Sequence, residues 1–279
     1  MKNIYSLLQI ISLALLQSCS SEPAKSTTTS ADTSITKSNG DTAAAINKSN
    51  KADNATILAK QQVPILCYHH ITNKVAPALY TVSIDAFNAQ LKILADSGYH
   101  TVLPEDVYNY LNYNAPLPSK PVMLTFDDTR VEHYTVAAAE MKKYNFKGVF
   151  FIMTIAIGKP NYMSSEQIKT LHDEGHTIGS HTWDHQNLKK LPGAEFVNQI
   201  DKPKQKLESI TGAPIVYFAY PFGLWGDSAV AELKKRDTKA AFQLTDKRKE
   251  GDAIYTIRRM IVPGGMKPQN LLKYMRSSF

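Results

Sequence analysis

From Gln61 onward the chain alternates short apolar runs with stretches of helical periodicity. Residues 63–70 form a largely apolar run of strand length. In 85–97 Phe87, Leu91 and Leu94 recur at helical spacing before Gly98 closes the segment. The alternation then repeats. A short strand is predicted over 101–103 with a helix over 104–111, a strand over 121–126 with a helix over 132–144, and a strand over 149–154. A helix opens at Ser164, with Ser165-Glu166-Gln167 as capping material, and runs to Gly175. Strand 177–180, a helix within 194–210, strand 216–220, helix 227–236 and strand 240–244 complete the pattern. Repeated βα units over about 200 residues predict a parallel sheet, open or closed into a barrel. In such a barrel chemistry collects at the C-terminal ends of the strands.

Upstream the pattern breaks. Residues 20–60 are dominated by Ser, Thr, Ala, Asn, Lys and Asp and contain no Phe, Tyr or Trp. Such a stretch cannot bury enough apolar surface to offset chain entropy, and it reads as a flexible spacer. Residues 1–18 combine Lys2 with a short run rich in Leu and Ile, too short to span a bilayer, that ends in Leu16-Gln17-Ser18-Cys19. This resembles a bacterial lipoprotein cleavage site, which implies acylation of Cys19; an ordinary secretory signal with an incidental Cys is the alternative. The expected organisation is a signal peptide over 1–18, a lipid-anchored linker over 19–60 and one folded domain over 61–279.

Composition narrows the partners. The 279 residues carry 32 Lys and Arg against 25 Asp and Glu, a net charge of +7. No dense basic block accompanies that excess, so nucleic acid is not an expected partner. Only Cys19 and Cys67 are present, too few for a disulfide framework.

Four clusters bear chemistry. Thr125-Phe126-Asp127-Asp128 places two carboxylates where an apolar strand ends, a costly arrangement unless something positive sits beside them. His181-Thr182-Trp183-Asp184-His185 spaces two imidazoles four residues apart, which on a helical turn puts both rings on one face. Two His and one carboxylate make an open-sided site for a divalent metal. Phe218-Ala219-Tyr220-Pro221-Phe222-Gly223 runs a strand into a turn, and Ile65-Leu66-Cys67-Tyr68-His69-His70 ends the first strand. Taken singly, the Asp pair also fits a solvated turn, the His pair a structural pair, and the third cluster a plain turn.

In this order, TFDD, HTWDH and the YPFG turn resemble the polysaccharide deacetylases of carbohydrate esterase family 4, the NodB-homology domain. The resemblance implies an α/β fold, a distorted (β/α) barrel that is usually seven-stranded, and hydrolysis of N-acetyl or O-acetyl groups on a glycan. It implies Asp127 as catalytic base and Asp128, His181 and His185 as ligands of a divalent metal, zinc first, with cobalt, nickel or iron also suited. The backbone N–H of Phe222 would add an oxyanion donor, and Tyr220, Pro221, Trp225 and Arg259 are expected near the substrate. The expected substrate is an acetylated N-acetylglucosamine polymer. The protein is expected to act as a monomer, tethered by its lipid to the extracytoplasmic face of the bacterial envelope. An O-acetyl esterase on xylan-like glycans and a weakly active glycan-binding lipoprotein are the alternatives.

Two departures stand out. Ala219 occupies the position where the third motif usually has Arg, so Arg258 or Arg259 is the candidate replacement to orient the base. No His follows His185, so the usual C-terminal acid is missing. The Tyr68-His69 pair resembles the N-terminal motif of the poly-β-1,6-N-acetylglucosamine deacetylase branch, which implies His69 as the acid. His70 is expected to face away, Cys67 to be a small buried hydrophobe, and His172 and His176 to be structural. His133 fits a cleft wall or a solvated helix start equally well, and Trp183 fits core packing or sugar stacking.

Overall fold

The computed structural model describes residues 51–244, 247–249 and 251–279. Cys19, the signal segment and the linker up to residue 50 lie outside the described residues. The strands are β1 (Ile65–Tyr68), β2 (His70–Ile71), β3 (Thr81–Val82), β4 (His100–Thr101), β5 (Pro121–Asp127), β6 (Val149–Ile152), β7 (Thr177–Ser180), β8 (Tyr217–Ala219), β9 (Ala240–Leu244) and β10 (Ile257–Ile261). Seven of them, in the order β1-β10-β9-β8-β7-β6-β5, pair in parallel, and β1 also pairs with β5 to close the ring. The predicted (β/α) barrel is therefore closed. Strand β4 adds to the start of β5 outside that ring, and β2 with β3 forms a separate two-stranded strap.

The helices are α1 (Asn54–Ala59), α2 (Ile84–Asp96), α3 (Pro104–Tyr113), α4 (Ala139–Lys142), α5 (Ser165–Asp173), α6 (Lys202–Thr211), α7 (Asp227–Lys235) and α8 (Pro268–Ser278). Two-residue periodicity separates the strand faces. Leu66, Tyr68, Leu124, Phe126, Phe150 and Ile178 share one buried cluster with residues of α2, α5, α6 and α8. Ile65, Met123, Val149, Phe151, Ala219, Phe242 and Ile257 form another, the barrel interior. Cys67, Asp127 and Arg259 have the parity of this second set, so they extend the inward column toward the C-terminal mouth.

The spacer reading fails over its last ten residues. Asp53 caps α1, accepting the Thr56 N–H at 2.7 Å, and Ile57 is 2% exposed in the barrel-side cluster. One apolar side chain that reaches the core gains about 1.5–3 kcal/mol, enough to order a polar segment locally. The Arg248 guanidinium also donates to the carbonyls of Ile57 and Lys60, at 3.2 and 3.3 Å.

Candidate active site

Five strand ends converge on a cavity of about 220 Å³ lined by His69, His70, Tyr80, Asp127, Asp128, His181, His185, Phe222 and Leu244. Asp127 ends β5 with its side chain 1% exposed inside the barrel. The next two residues, Asp128 and Thr129, have φ of 76° and 63°; Thr182, His185 and Phe222 are also left-handed. Each such non-glycine residue costs about 1–2 kcal/mol. Half of the ten found among the described residues gather at these loops, where specific bonds hold them. The Thr129 hydroxyl, for example, accepts the Met153 N–H at 2.8 Å and donates to the Met153 carbonyl at 3.2 Å.

The base pair of charges is complete. Arg259, fully buried, donates from Nη1 to Asp127 Oδ1 at 2.7 Å and from Nη2 to Oδ2 at 2.8 Å. Burial would raise the Asp127 pKa, but the guanidinium outweighs it and holds the carboxyl well below the ordinary carboxylate range. Arg259 comes from the middle of β10, while Ala219 stands where the related motif has Arg. Arg259 was expected near the substrate and, with Arg258, as a candidate to orient the base; with no exposed surface, its fork closes on Asp127 beneath the cavity. Arg258 instead donates to the Ser278 carbonyl and stacks on Phe279. Cys67 is more than packing. Its thiol, which burial keeps protonated, donates to Asp127 Oδ2 at 3.6 Å.

The two imidazoles meet without a helix. Residues 182–184 form a turn in which the His185 N–H donates to the Thr182 hydroxyl at 2.9 Å, and the rings lie 4.8 Å apart. His181 Nδ1 is 2.8 Å from the Ala219 carbonyl, which can only accept, so the proton sits on Nδ1 and Nε2 keeps its lone pair. Burial pushes its pKa down to about 4, with Asp127 opposing, which leaves the ring neutral near pH 7. His181 Nε2 and His185 Nε2 lie 3.7 and 3.5 Å from Asp128 Oδ1, too far for good hydrogen bonds, and that buried oxygen has no hydrogen-bond partner. Nitrogen and oxygen ligands each about 2.0–2.2 Å from one ion sit roughly 3–4 Å from one another. The donor set therefore fits a divalent cation.

His69 lines the cavity, with Nδ1 4.0 Å from the Cys67 thiol and its ring 4.9 Å from that of Tyr80. Burial lowers its pKa, while Asp127 and Asp128 act in the opposite direction. His70 does not face away. The chain bends between β1 and β2, so His70 also lines the cavity and its Nδ1 pairs with Glu132 at 3.0 Å. Nothing local in the sequence pointed to Glu132. Phe222 lines the mouth, its ring 4.4 Å from that of His185.

Other expected contacts are absent from the cavity wall. Tyr220 is fully buried against Phe218, Pro221 is buried, and Trp225 lies in a neighbouring hollow with Lys249 over its ring. The strand carries Tyr220 into the core beneath the turn, and only Phe222, at the left-handed corner, projects outward. His133 is neither cleft wall nor solvated: it is fully buried against Phe126, and its Nε2 donates to the His69 carbonyl at 2.5 Å. His176 accepts the Gly148 N–H at 3.0 Å at the start of β7, the far end of that strand from the site, while His172 lies beside Asp173. Trp183 is half-buried under Lys206.

The polysaccharide deacetylase family profile matches residues 114–241. A Bacillus subtilis protein named as a polysaccharide deacetylase, YxkH, is 28% identical over 221 residues, 77% of each chain. The poly-β-1,6-N-acetyl-D-glucosamine N-deacetylase of Staphylococcus aureus is 26% identical over 182 residues, 60% of this chain and 62% of that one. The Streptococcus pyogenes deacetylase PplD, solved with acetate, superposes with a TM-score of 0.71 at 27% identity, covering 77% of this chain and 98% of that one. With a closed parallel barrel, the match over residues 114–241 and these relatives, the chain carries a polysaccharide deacetylase domain of the NodB type and is similar along three quarters of its length to hydrolases of that name.

Proposed function

We propose that this protein is a divalent-metal-dependent N-deacetylase acting on N-acetylglucosamine units of an extracytoplasmic polysaccharide. The observation that carries the reading is the buried, unpartnered Asp128 Oδ1 facing the Nε2 atoms of His181 and His185, beside an arginine-held Asp127. Asp128, His181 and His185 would hold the ion, and two imidazoles with a carboxylate suit zinc, with cobalt, nickel or iron admissible. Such an ion, when bound, polarises an acyl carbonyl and acidifies water.

The chain's own groups do the rest. Asp127, kept ionised by Arg259, accepts a proton from the attacking water, and Arg259 fixes the direction of its lone pairs. His69 gives a proton to the departing amine nitrogen, which cannot leave as an anion. The Phe222 N–H is the candidate donor to the acyl oxygen. Tyr80, Phe222 and Leu244 supply an apolar wall that excludes water around the acetyl group. The substrate of the Staphylococcus aureus relative makes poly-β-1,6-N-acetylglucosamine the first polymer to test. Acetate release across that polymer, chitin oligomers, peptidoglycan and acetylated xylan, with and without chelator, tests the reading. Release from N-acetyl substrates that chelation abolishes is expected; release from acetylated xylan alone makes the protein an O-acetyl esterase.

We propose further that Cys19 is acylated and tethers the enzyme to the envelope through the segment that precedes Lys51. Cys19→Ala protein should leave the membrane fraction; retention there as firm as wild type rejects the anchor.

A further inference from the structure

Between β5 and α4 the chain passes through a π-helical turn (His133–Ala138), a rare form that recurs at functional sites. Glu132 and His133, at its start, both reach the bend between β1 and β2. The Glu132 carboxylate pairs with His70 Nδ1 at 3.0 Å, and His133 Nε2 donates to the His69 carbonyl at 2.5 Å. Two consecutive residues thus hold two consecutive histidines, one by its side chain and the other by its backbone.

That bend is where the backbone leaves the barrel. Tyr68 still stands in register with Phe126 of β5, whereas the His70 N–H already donates to the Tyr80 carbonyl of the strap at 2.9 Å. The His69 carbonyl falls between the two ladders and takes its partner from a side chain. Little else recommends an imidazole there. His133 is fully buried, its ring 5.5 Å from that of Phe126 and 6.4 Å from that of Phe150. A carbonyl only accepts, so the proton sits on Nε2, and Nδ1 is left buried without a hydrogen-bond partner. Such an orphaned group costs about 1–3 kcal/mol, which a leucine in the same place would avoid. What the imidazole adds is its bond to His69. The His69 ring itself has looser contacts, with the Cys67 thiol 4.0 Å from Nδ1 and the Tyr80 ring at 4.9 Å, so its direction into the cavity is inherited from its backbone.

On the basis of the deacetylase reading, we infer that His133, aided by Glu132 at His70, is a positioning residue for the proton transfer from His69. His133 acts through the His69 peptide from beneath the cavity. By fixing that peptide where neither ladder holds it, His133 fixes the Cα–Cβ direction of His69 and so aims the imidazole at the departing amine nitrogen.

The test compares His133→Leu, which removes the donor and keeps an apolar filling, with His133→Gln, which returns an amide N–H near the place of Nε2. In the metal-loaded enzyme His133→Leu should lower kcat for N-acetylglucosamine oligomers about tenfold or more with KM little changed, as expected for a misplaced acid. Hydrolysis of an activated aryl acetate, whose leaving group needs no proton, should fall by no more than about twofold. His133→Gln should recover most of the lost rate, and urea denaturation and elemental analysis should show fold and metal retained in both variants. Equal losses on the two substrates, or no recovery with Gln, overturn the positioning role and leave the deacetylase reading standing. Should His133→Leu fail to fold, Glu132→Ala, at a partly exposed side chain, should show the same contrast between substrates, and equal losses there overturn the role. Heteronuclear NMR of the imidazole rings reads the position of His69 without turnover. Its signals, assigned with His69→Ala, should move in His133→Leu and return in His133→Gln; unmoved signals overturn the positioning role. No acetate from any N-acetyl oligomer, with aryl acetate still hydrolysed, overturns the deacetylase reading and the acid step with it.

Discussion

A carboxylate inside a barrel is costly unless a cation meets it, and Asp127 meets Arg259 through two parallel hydrogen bonds. Arg259→Met leaves the carboxylate buried and unpaired, and the fold should lose about 3–5 kcal/mol, read by urea denaturation. Arg259→Lys keeps the charge but not the fork. That variant should remain folded and bind metal while acetate release falls by about tenfold or more, as expected when a base is held loosely. Asp128 makes the opposite case. Its Oδ1 has no hydrogen-bond partner among the described residues, with the Nε2 atoms of His181 and His185 at 3.7 and 3.5 Å, so Asp128→Ala should cost little stability. Elemental analysis should instead show loss of the bound ion, and equal metal content in wild type and variant would reject the ligand assignment.

Elements act on the site through their junctions. The turn after β8 brings Phe222 to the mouth at φ 59°, and Gly223 follows at φ 70° against β9. A Cβ there would lie 2.6 Å from the Leu244 backbone nitrogen, with no flexible atom to yield. Gly223→Ala should therefore push the turn off β9, costing about 1–3 kcal/mol and displacing Phe222. Melting temperature and kcat should fall together. The strap offers a contrast, because it reaches the cavity through His70 and Tyr80 and rests on Gly264, where a Cβ would stand 1.9 Å from the Thr81 carbonyl oxygen. Gly264→Ala should shift Tyr80 and raise KM for polymer more than it lowers hydrolysis of an aryl acetate.

For the whole molecule, closure of the ring matters more than any one helix. Strand β1 pairs with both β5 and β10, and this double pairing brings the start and the end of the domain to one site. Helix α1 packs beside the barrel interior through Ile57 and is tied to the 248 loop by Arg248. A chain begun at Gln61 should be less stable by about 2 kcal/mol or more than one begun at Lys51. Thermal unfolding of the two truncations checks this, and equal melting temperatures would show that α1 contributes nothing.

Alternation of apolar strands with amphipathic helices follows from periodicity within each segment, so the (β/α) architecture was legible in the sequence. The residues that reach the cavity from TFDD, HTWDH and the turn were legible as well, because each lies at the end of its own strand. What depends on register across the ring was legible only in part: the sequence offered Arg258 or Arg259 to orient the base without choosing between them. Arg259 is 132 residues from Asp127 and Cys67 is 60 residues away, and only closure sets the two side chains in the same inward column. The alternation that predicted an outward His70 fails because the chain bends after β1, and Glu132 becomes its partner only through that bend. Tyr220 reads as a strand-end residue from its neighbours, yet the tertiary packing beneath the turn buries it and leaves Phe222 at the mouth. Local pattern determined which segments become strands and helices, while contacts between distant segments decided which charges meet, since their energies exist only once the barrel is closed.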